Sequence, residues 1–198
     1  MLIQQVLINQ LMKYLVMSKV HNIDTYKPTS TDVFFFDNNV WMFLFCPIGN
    51  YKKDKQSKYS TFFSAICTAK ACIWINSLVL SEFCNSWLRL EFYNWRNKSA
   101  NAGKNDYKSD FVGTQEYKDT IQDIKKTLPQ LLKKSERNSD NFNAINLDSI
   151  YSELENCDFN DSYYLELSRM NKWKIVTDDA DFFKKNKLNV EIITANIK

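Results

Sequence analysis

Glycine and proline each occur only three times in 198 residues, and histidine occurs once, at His21. With so few glycines there is neither a GxGxxG fingerprint nor a P-loop, which excludes the glycine-rich cradles that hold nucleotide phosphates. The single histidine precedes the main body of the chain, so Ser–His and Cys–His nucleophilic pairs lack their base. The five cysteines (Cys46, Cys67, Cys72, Cys84 and Cys157) form no CxxC pair. Their odd number and apolar contexts argue against a disulfide framework or a zinc ribbon, and they read as small core hydrophobes in a reducing compartment. Long apolar runs are missing too. The stretch from Met1 to Val16 is broken by Gln5, Asn9, Gln10 and Lys13, too polar for a membrane span and without the basic start or unbroken apolar centre of a signal peptide. The expectation is a cytoplasmic protein with no membrane partner. Charge of either sign is scarce in excess: the net value of +3 does not announce a nucleic-acid binder.

What the chain does have is apolar bulk. Hydrophobic residues make up 44% and aromatics 15%, enough to build a core and too much for a disordered chain. The length suits one domain over residues 31–198, containing a polar helical segment at about 97–143, preceded by an N-terminal helical extension over 1–30. In that extension Leu2, Val6 and Leu11 recur at roughly helical spacing, as for a helix packed on the domain or on a second subunit; a misassigned start or a partner-binding arm are the alternatives. Val33-Phe-Phe-Phe36, Cys72-Ile-Trp-Ile75 and Lys174-Ile-Val176 read as short strands, with further strands expected at Ala144–Leu147 and Val190–Thr194. Between them lie helical patterns at Ser60–Lys70, at Leu78 to about Tyr93 behind Asn76 or Ser77 as cap, and at Thr114–Lys134, where Pro129 marks a kink or a break. Asp148 is expected to cap a helix through Leu154, and an amphipathic helix follows Asp158-Phe-Asn-Asp161. Strands alternating with helices predict an α/β fold, a three-layer α/β/α sandwich with a central mostly parallel sheet.

The acidic residues are placed unusually on this pattern. Asp37 ends the first apolar strand, Glu82 lies near the start of the helix after the second, Asp161 opens a helix, and Asp178, Asp179 and Asp181 crowd the end of the Lys174–Val176 strand. In open α/β sheets ligands bind outside the carboxyl ends of the strands. Carboxylates gathered there repel unless something neutralises them. A divalent cation does so, and an all-oxygen set selects Mg²⁺, Mn²⁺ or Ca²⁺. Taken singly, each acid has an ordinary reading: Asp161 as a helix-start acid favoured by the dipole, Glu82 as a solvent-facing residue, Asp37 as a turn residue.

Four segments in order carry a resemblance. Phe36-Asp-Asn-Asn-Val-Trp41, Ser77-Leu-Val-Leu-Ser-Glu-Phe83, Asp158-Phe-Asn-Asp161 and Val176-Thr-Asp-Asp-Ala-Asp-Phe182 look like the successive signatures of PIN-domain nucleases, the family of the VapC-type toxin ribonucleases. The resemblance runs from about Asp32 to the C-terminus, and the eighteen residues from Asp161 to Asp179 fit its helix–strand arrangement. It implies a metal-dependent endoribonuclease that hydrolyses RNA phosphodiester bonds with a metal-activated water. Asp37, Glu82, Asp161 and Asp179 would be the catalytic, metal-holding residues for Mg²⁺ or Mn²⁺, with Asp181 as an extra ligand and Asn38 and Thr177 orienting ligands or water. Asp158 is a weaker candidate, and Asp178 is expected to point away because adjacent strand residues face opposite sides. Implied partners are RNA, a small antitoxin protein and a second copy of the chain as homodimer. The alternative is a non-catalytic PIN-fold module that binds RNA or protein; a nuclease for branched DNA would need further DNA-binding elements, and none is evident.

Candidate substrate contacts are Lys52, Lys53, Lys55 and Lys58 after the first strand, and Arg89, Arg96 and Lys98 along or beyond the Glu82 helix. Tyr51, Tyr59 and Trp41 are candidates for stacking on unpaired bases. The plainer alternative is that the lysines keep the chain soluble and Trp41 packs in the core.

Overall fold

Phe34, Phe35 and Phe36 are each at most 1% exposed, so the strand they form is covered on both faces. That covering is what a central strand of a parallel sheet flanked by helices has. The structure is a computed structural model that describes residues 20–47, 53–155, 157–184 and 189–197. The helix expected within the first nineteen residues, and the candidates Tyr51 and Lys52, lie outside the described residues.

In chain order the elements are β1 (Val20–Asn22), β2 (Val33–Phe36), α1 (Asn38–Phe45), α2 (Lys53–Ala69), β3 (Cys72–Ile75), α3 (Ser77–Arg96), α4 (Gln115–Leu132), β4 (Glu136–Arg137), α5 (Leu147–Glu153), α6 (Phe159–Asn171), β5 (Lys174–Val176), α7 (Asp181–Lys184) and β6 (Ile192–Thr194). Short helical turns at Ser99–Asn101, Tyr107–Phe111 and Phe142–Ala144 join them. The six strands form one sheet in the order β1-β6-β5-β2-β3-β4, every pair parallel. With helices flanking it, this is the expected three-layer α/β/α sandwich. No described helix is long and apolar enough to cross a membrane.

The topology has one reversal, and it positions the site. From β2 the chain proceeds outward through β3 to β4, then returns to place β5 on the opposite side of β2. Neighbouring connections therefore leave the β2–β5 boundary in opposite directions, which opens a crevice at the carboxyl ends of those two strands. Phe36 pairs with Val176 there, and the ladder continues with Asp37 N–H donating to Val176 O at 3.1 Å.

Several elements differ from the sequence expectation. Ala144–Leu147 is not a strand: Asn146 Oδ1 accepts from the N–H groups of Asp148 and Ser149 at 3.0 and 3.4 Å, so this polar side chain starts α5 instead. Asp148 accordingly sits in the first turn and Asn146 is the cap. Pro129 lies within α4 without ending it. The segment 97–143 supplies β4 at the sheet edge and α4 against α3, and its Phe111 forms a small aromatic core with Phe92 and Trp95 of α3. Val20–Asn22, in the expected extension, pairs with β6. Cys46 is a core residue, whereas Cys67 is exposed and not the core hydrophobe expected of it.

Candidate metal centre

At the crevice, one pocket of about 240 Å³ is lined by Asp37, Glu82, Asp161 and Asp179, together with Asp158, Asn38, Asn39 and Ser86. The four acids expected to converge are thus brought to one place by four separate elements.

Asp37 comes first because β2 ends on it. It caps α1, accepting from Asn38 N–H at 2.6 Å, and is 6% exposed. Thr177, one residue beyond β5, faces it across the sheet and donates Oγ1–H to Asp37 Oδ2 at 2.8 Å. The same Thr177 oxygen accepts from Asp179 N–H at 2.9 Å, so one hydroxyl holds two acidic residues in register. Asn39 Nδ2 also donates to Asp37 Oδ2, and Asn39 Oδ1 accepts from Asp178 N–H at 3.1 Å. Asn39 thereby clamps the end of β2 to the end of β5.

Glu82 arrives from α3, whose start is fixed by Asn76 Oδ1 accepting from Val79 N–H at 2.9 Å. Both carboxylate oxygens are occupied: Tyr164 Oη–H donates to Oε2 at 2.7 Å, and Asn160 Nδ2 donates to Oε1. Asp161 is delivered by α6. Asp158, the weaker candidate, caps that helix by accepting from Asp161 N–H at 3.0 Å and lines the pocket as well. At the other end of α6, Lys172 adopts the left-handed conformation and Trp173 N–H donates to Ser168 O at 2.9 Å. That turn sends the chain back along β5, which explains how residues eighteen apart meet at one end of the sheet.

The electrostatics of the pocket are those of crowded anions. Burial pushes the Asp37 carboxyl up to about 7, helped by the charges of Glu82 and Asp179 and opposed by the Thr177 hydrogen bond. Burial likewise pushes Asp161 up to about 9, with Asp37, Asp158, Asp179 and Glu82 all adding repulsion. Against known proteins, the chain matches no protein-family model and no curated protein.

The residues fit a hard divalent cation. The acidic donors are all carboxyl oxygens, and the repulsion that resists their ionisation is what a cation would relieve. Asn38 supplies an independent sign. Its Nδ2 donates to Ser86 Oγ at 2.9 Å, while its Oδ1, buried at the pocket, has no hydrogen-bond partner. A buried orphan acceptor is costly, and water held at such a site would satisfy it. Among the described residues no three acidic side chains close on one point as a formed coordination set. Like charges separate, and the hydrogen bonds on Asp37 and Glu82 hold them in place.

The remaining candidates fall away from the pocket. Asp181 is exposed at the start of α7, giving its N–H to Asp179 Oδ1 at 2.9 Å, and does not line the pocket. Asp178 points away as expected, paired with Lys55 Nζ at 2.7 Å and accepting from Tyr59 Oη at 3.2 Å. Lys58 pairs with Asp24 at 2.7 Å, and Lys53 is exposed at the start of α2. Arg89 is exposed seven residues beyond Glu82 on α3, on the stripe that carries Glu82 and Ser86. Trp41 and Tyr59 are both at most 1% exposed, so neither can stack on a base; Tyr59 instead donates Oη–H to Thr177 O at 2.8 Å. Arg96 lies over the rings of Phe92 and Tyr93. Sequence reasoning did not single out Asn39, Asn160, Tyr164 and Ser86. Asn39 follows the Asp37-Asn38 pair directly and Asn160 precedes Asp161, but nothing in the sequence marks Tyr164 as facing Glu82.

Proposed function

We propose that this chain is a metal-dependent endoribonuclease of the PIN-domain kind, hydrolysing RNA phosphodiester bonds. The observation that carries the reading is the pocket at the β2–β5 switch point, where Asp37, Glu82, Asp161 and Asp179 meet with two of their carboxyls pushed well above the ordinary range. Asp37, Glu82, Asp161 and Asp179 would hold Mg²⁺ or Mn²⁺, and Asp158 joins them as a fifth acid on the rim. When bound, such a cation supplies a lowered pKa to water and neutralises charge on the phosphate.

The protein's own groups do the positioning. Thr177 and Asn39 keep Asp37 turned into the pocket, and Tyr164 and Asn160 do the same for Glu82. The free Oδ1 of Asn38 can accept a hydrogen bond from an attacking water and so fix its orientation. Arg89, on the stripe beyond Glu82 and Ser86, is placed to meet a flanking phosphate. A covalent intermediate is unnecessary, as no activated nucleophilic side chain lines the pocket among the described residues. By the same resemblance a small antitoxin would hold the site inactive and the chain would pair as a homodimer; sedimentation of the chain alone and with the product of an adjacent gene tests both.

The deciding experiment is cleavage of a mixed pool of structured and single-stranded RNAs with Mg²⁺, with Mn²⁺ and with EDTA. Asp37→Asn and Asp161→Asn run beside wild type. Metal-dependent cutting abolished by both substitutions is the expected result. Absence of both cutting and Mn²⁺ binding by calorimetry would replace this reading with that of a non-catalytic RNA- or protein-binding module.

A further inference from the structure

A second cleft adjoins the acidic pocket. It has a volume of about 420 Å³ and lies between the first turns of α3 and α6, lined by Leu78, Ser81, Asp140, Phe142, Phe159 and Tyr163 among others. Ser81 precedes Glu82 and Phe159 follows Asp158, so the two cavities are lined by neighbouring residues at the starts of the same two helices. Their chemistry differs sharply. The first is acidic, and the second is largely apolar, with three aromatic rings and no lysine or arginine among its described lining. Phe159 stacks on Tyr163 with ring centres 6.2 Å apart and planes 22° apart, and Phe142 lies 6.3 Å from Tyr163 at 31°. Phe142 is nevertheless 60% exposed and Phe159 43% exposed, so both rings are accessible to solvent.

One polar atom in this cleft is unexplained. Asp140 Oδ2 accepts from Ser77 Oγ at 2.8 Å, and its backbone carbonyl accepts from Tyr163 Oη at 2.6 Å. Asp140 Oδ1 is buried and has no hydrogen-bond partner. An open aromatic wall beside a carboxylate whose exposed Oδ2 keeps acceptor capacity beyond its bond to Ser77 suits a flat, apolar-faced group that carries an amino edge. A phosphate would be repelled by the carboxylate, whereas an unpaired nucleobase meets both demands at once.

We propose that this cleft is a base-binding subsite: an unpaired base of single-stranded RNA stacks on Phe142 and Phe159, its amino edge turned to Asp140, while the adjoining phosphate lies toward the acidic pocket, its charge offset by the cation that pocket would hold. The inference deepens the endoribonuclease reading and rests on it. It also gives the segment 97–143 a role, since that segment delivers both Asp140 and Phe142 to the rim of the site. Base stacking tolerates any sequence, so the preference comes from the edge contact: adenine, guanine and cytosine present an amino group, and uracil does not.

The test separates the subsite from the nuclease. Binding of a fluorescein-labelled mixed-sequence single-stranded RNA is followed by anisotropy in Ca²⁺, alongside a tetrahydrofuran abasic oligomer of the same length. Phe142 is exposed on a short turn, so Phe142→Ala should fold. It should weaken RNA binding by about tenfold and leave abasic binding unchanged, with Phe142→Trp restoring the RNA value. Wild type should favour oligo(A) over oligo(U), and Asp140→Asn should narrow that preference. Metal-dependent cleavage with no effect of Phe142→Ala on binding overturns the subsite and leaves the nuclease standing. Equal loss for RNA and abasic oligomer overturns it as well, because the phenylalanine would then act on fold rather than on bases. Self-association that Phe142→Ala abolishes, with RNA binding intact, would reassign the cleft to a protein partner. Absence of both binding and cleavage overturns the subsite together with the reading beneath it.

Discussion

Asp158 performs two tasks that can be pulled apart by a single pair of substitutions. As helix cap it needs a side-chain oxygen facing Asp161 N–H; as a member of the acidic pocket it needs charge. Asparagine caps about as well as aspartate but is neutral, whereas alanine does neither. Asp158→Asn should therefore keep thermal stability and weaken Mn²⁺ binding severalfold by calorimetry, and Asp158→Ala should in addition lose about 1 kcal/mol of stability in denaturant. Equal Mn²⁺ affinity for Asp158→Asn and wild type would confine this residue to capping. Tyr164 offers a parallel case for positioning. Its hydroxyl holds Glu82, and the negative charge there, after burial, drives its own pKa upward, so it is a permanent donor. Tyr164→Phe removes only that oxygen and should reduce metal affinity by about tenfold or more while the fold persists. The acids themselves were legible from sequence because their order along the chain and their strand-end placement are one-dimensional facts. Among their partners Thr177 was legible too, but others were not. Tyr164 and Asn39 act across sequence separations of 82 and 139 residues, and only the folded sheet brings those ends together.

Among the elements, apolar strands were legible where burial writes itself into composition, as in β2, β3 and β5. The edge strands were not. β4 is Glu136–Arg137, both exposed, and it joins the sheet through backbone pairing with Trp74 and Ile75 alone. Side-chain pattern carries no trace of such a strand. α1 was hidden for a different reason: its residues Val40, Trp41, Met42 and Phe43 are all buried, so no polar face reveals helical periodicity. The sign that remained was Asp37 followed by two asparagines, read as the edge of a strand and serving as a helix cap. The segment 97–143 reads as polar, yet it is anchored by a few aromatic rings. Phe111 is fully buried, 5.6 Å from Phe92, 5.4 Å from Trp95 and 5.7 Å from Tyr117 by ring centres. Phe111→Ala should cost about 3–5 kcal/mol in denaturant unfolding. Because this small core sits apart from the acidic pocket, Mn²⁺ affinity of the folded fraction should stay at the wild-type value; a parallel loss of affinity would mean that the segment and the site are coupled.

For the molecule as a whole, gathering these acids at one sheet edge carries a stability cost that depends on pH. The folded-state carboxyls of Asp37 and Asp161 lie at about 7 and about 9, against an ordinary value of 3.8. A carboxyl whose pKa is raised by folding is held more tightly protonated in the native state than in the unfolded one. Below about pH 4 both states are protonated and the native state suffers no penalty. As pH rises toward 9 the unfolded chain gives up its protons first, so stability falls across that window. Because the acids repel one another, they titrate as a coupled set rather than as separate sites. A divalent cation acts in the opposite sense: it binds the deprotonated set, so its affinity and the stabilisation it confers grow with pH. The melting temperature of EDTA-treated protein should therefore decline between pH 5 and pH 9. Millimolar Mg²⁺ or Mn²⁺ should raise it little at pH 5 and markedly at pH 9, and Asp161→Asn should flatten the EDTA curve while shrinking the effect of the cation. A cation effect of equal size at pH 5 and pH 9 would show that the ion binds elsewhere, away from the protons that Asp37 and Asp161 release.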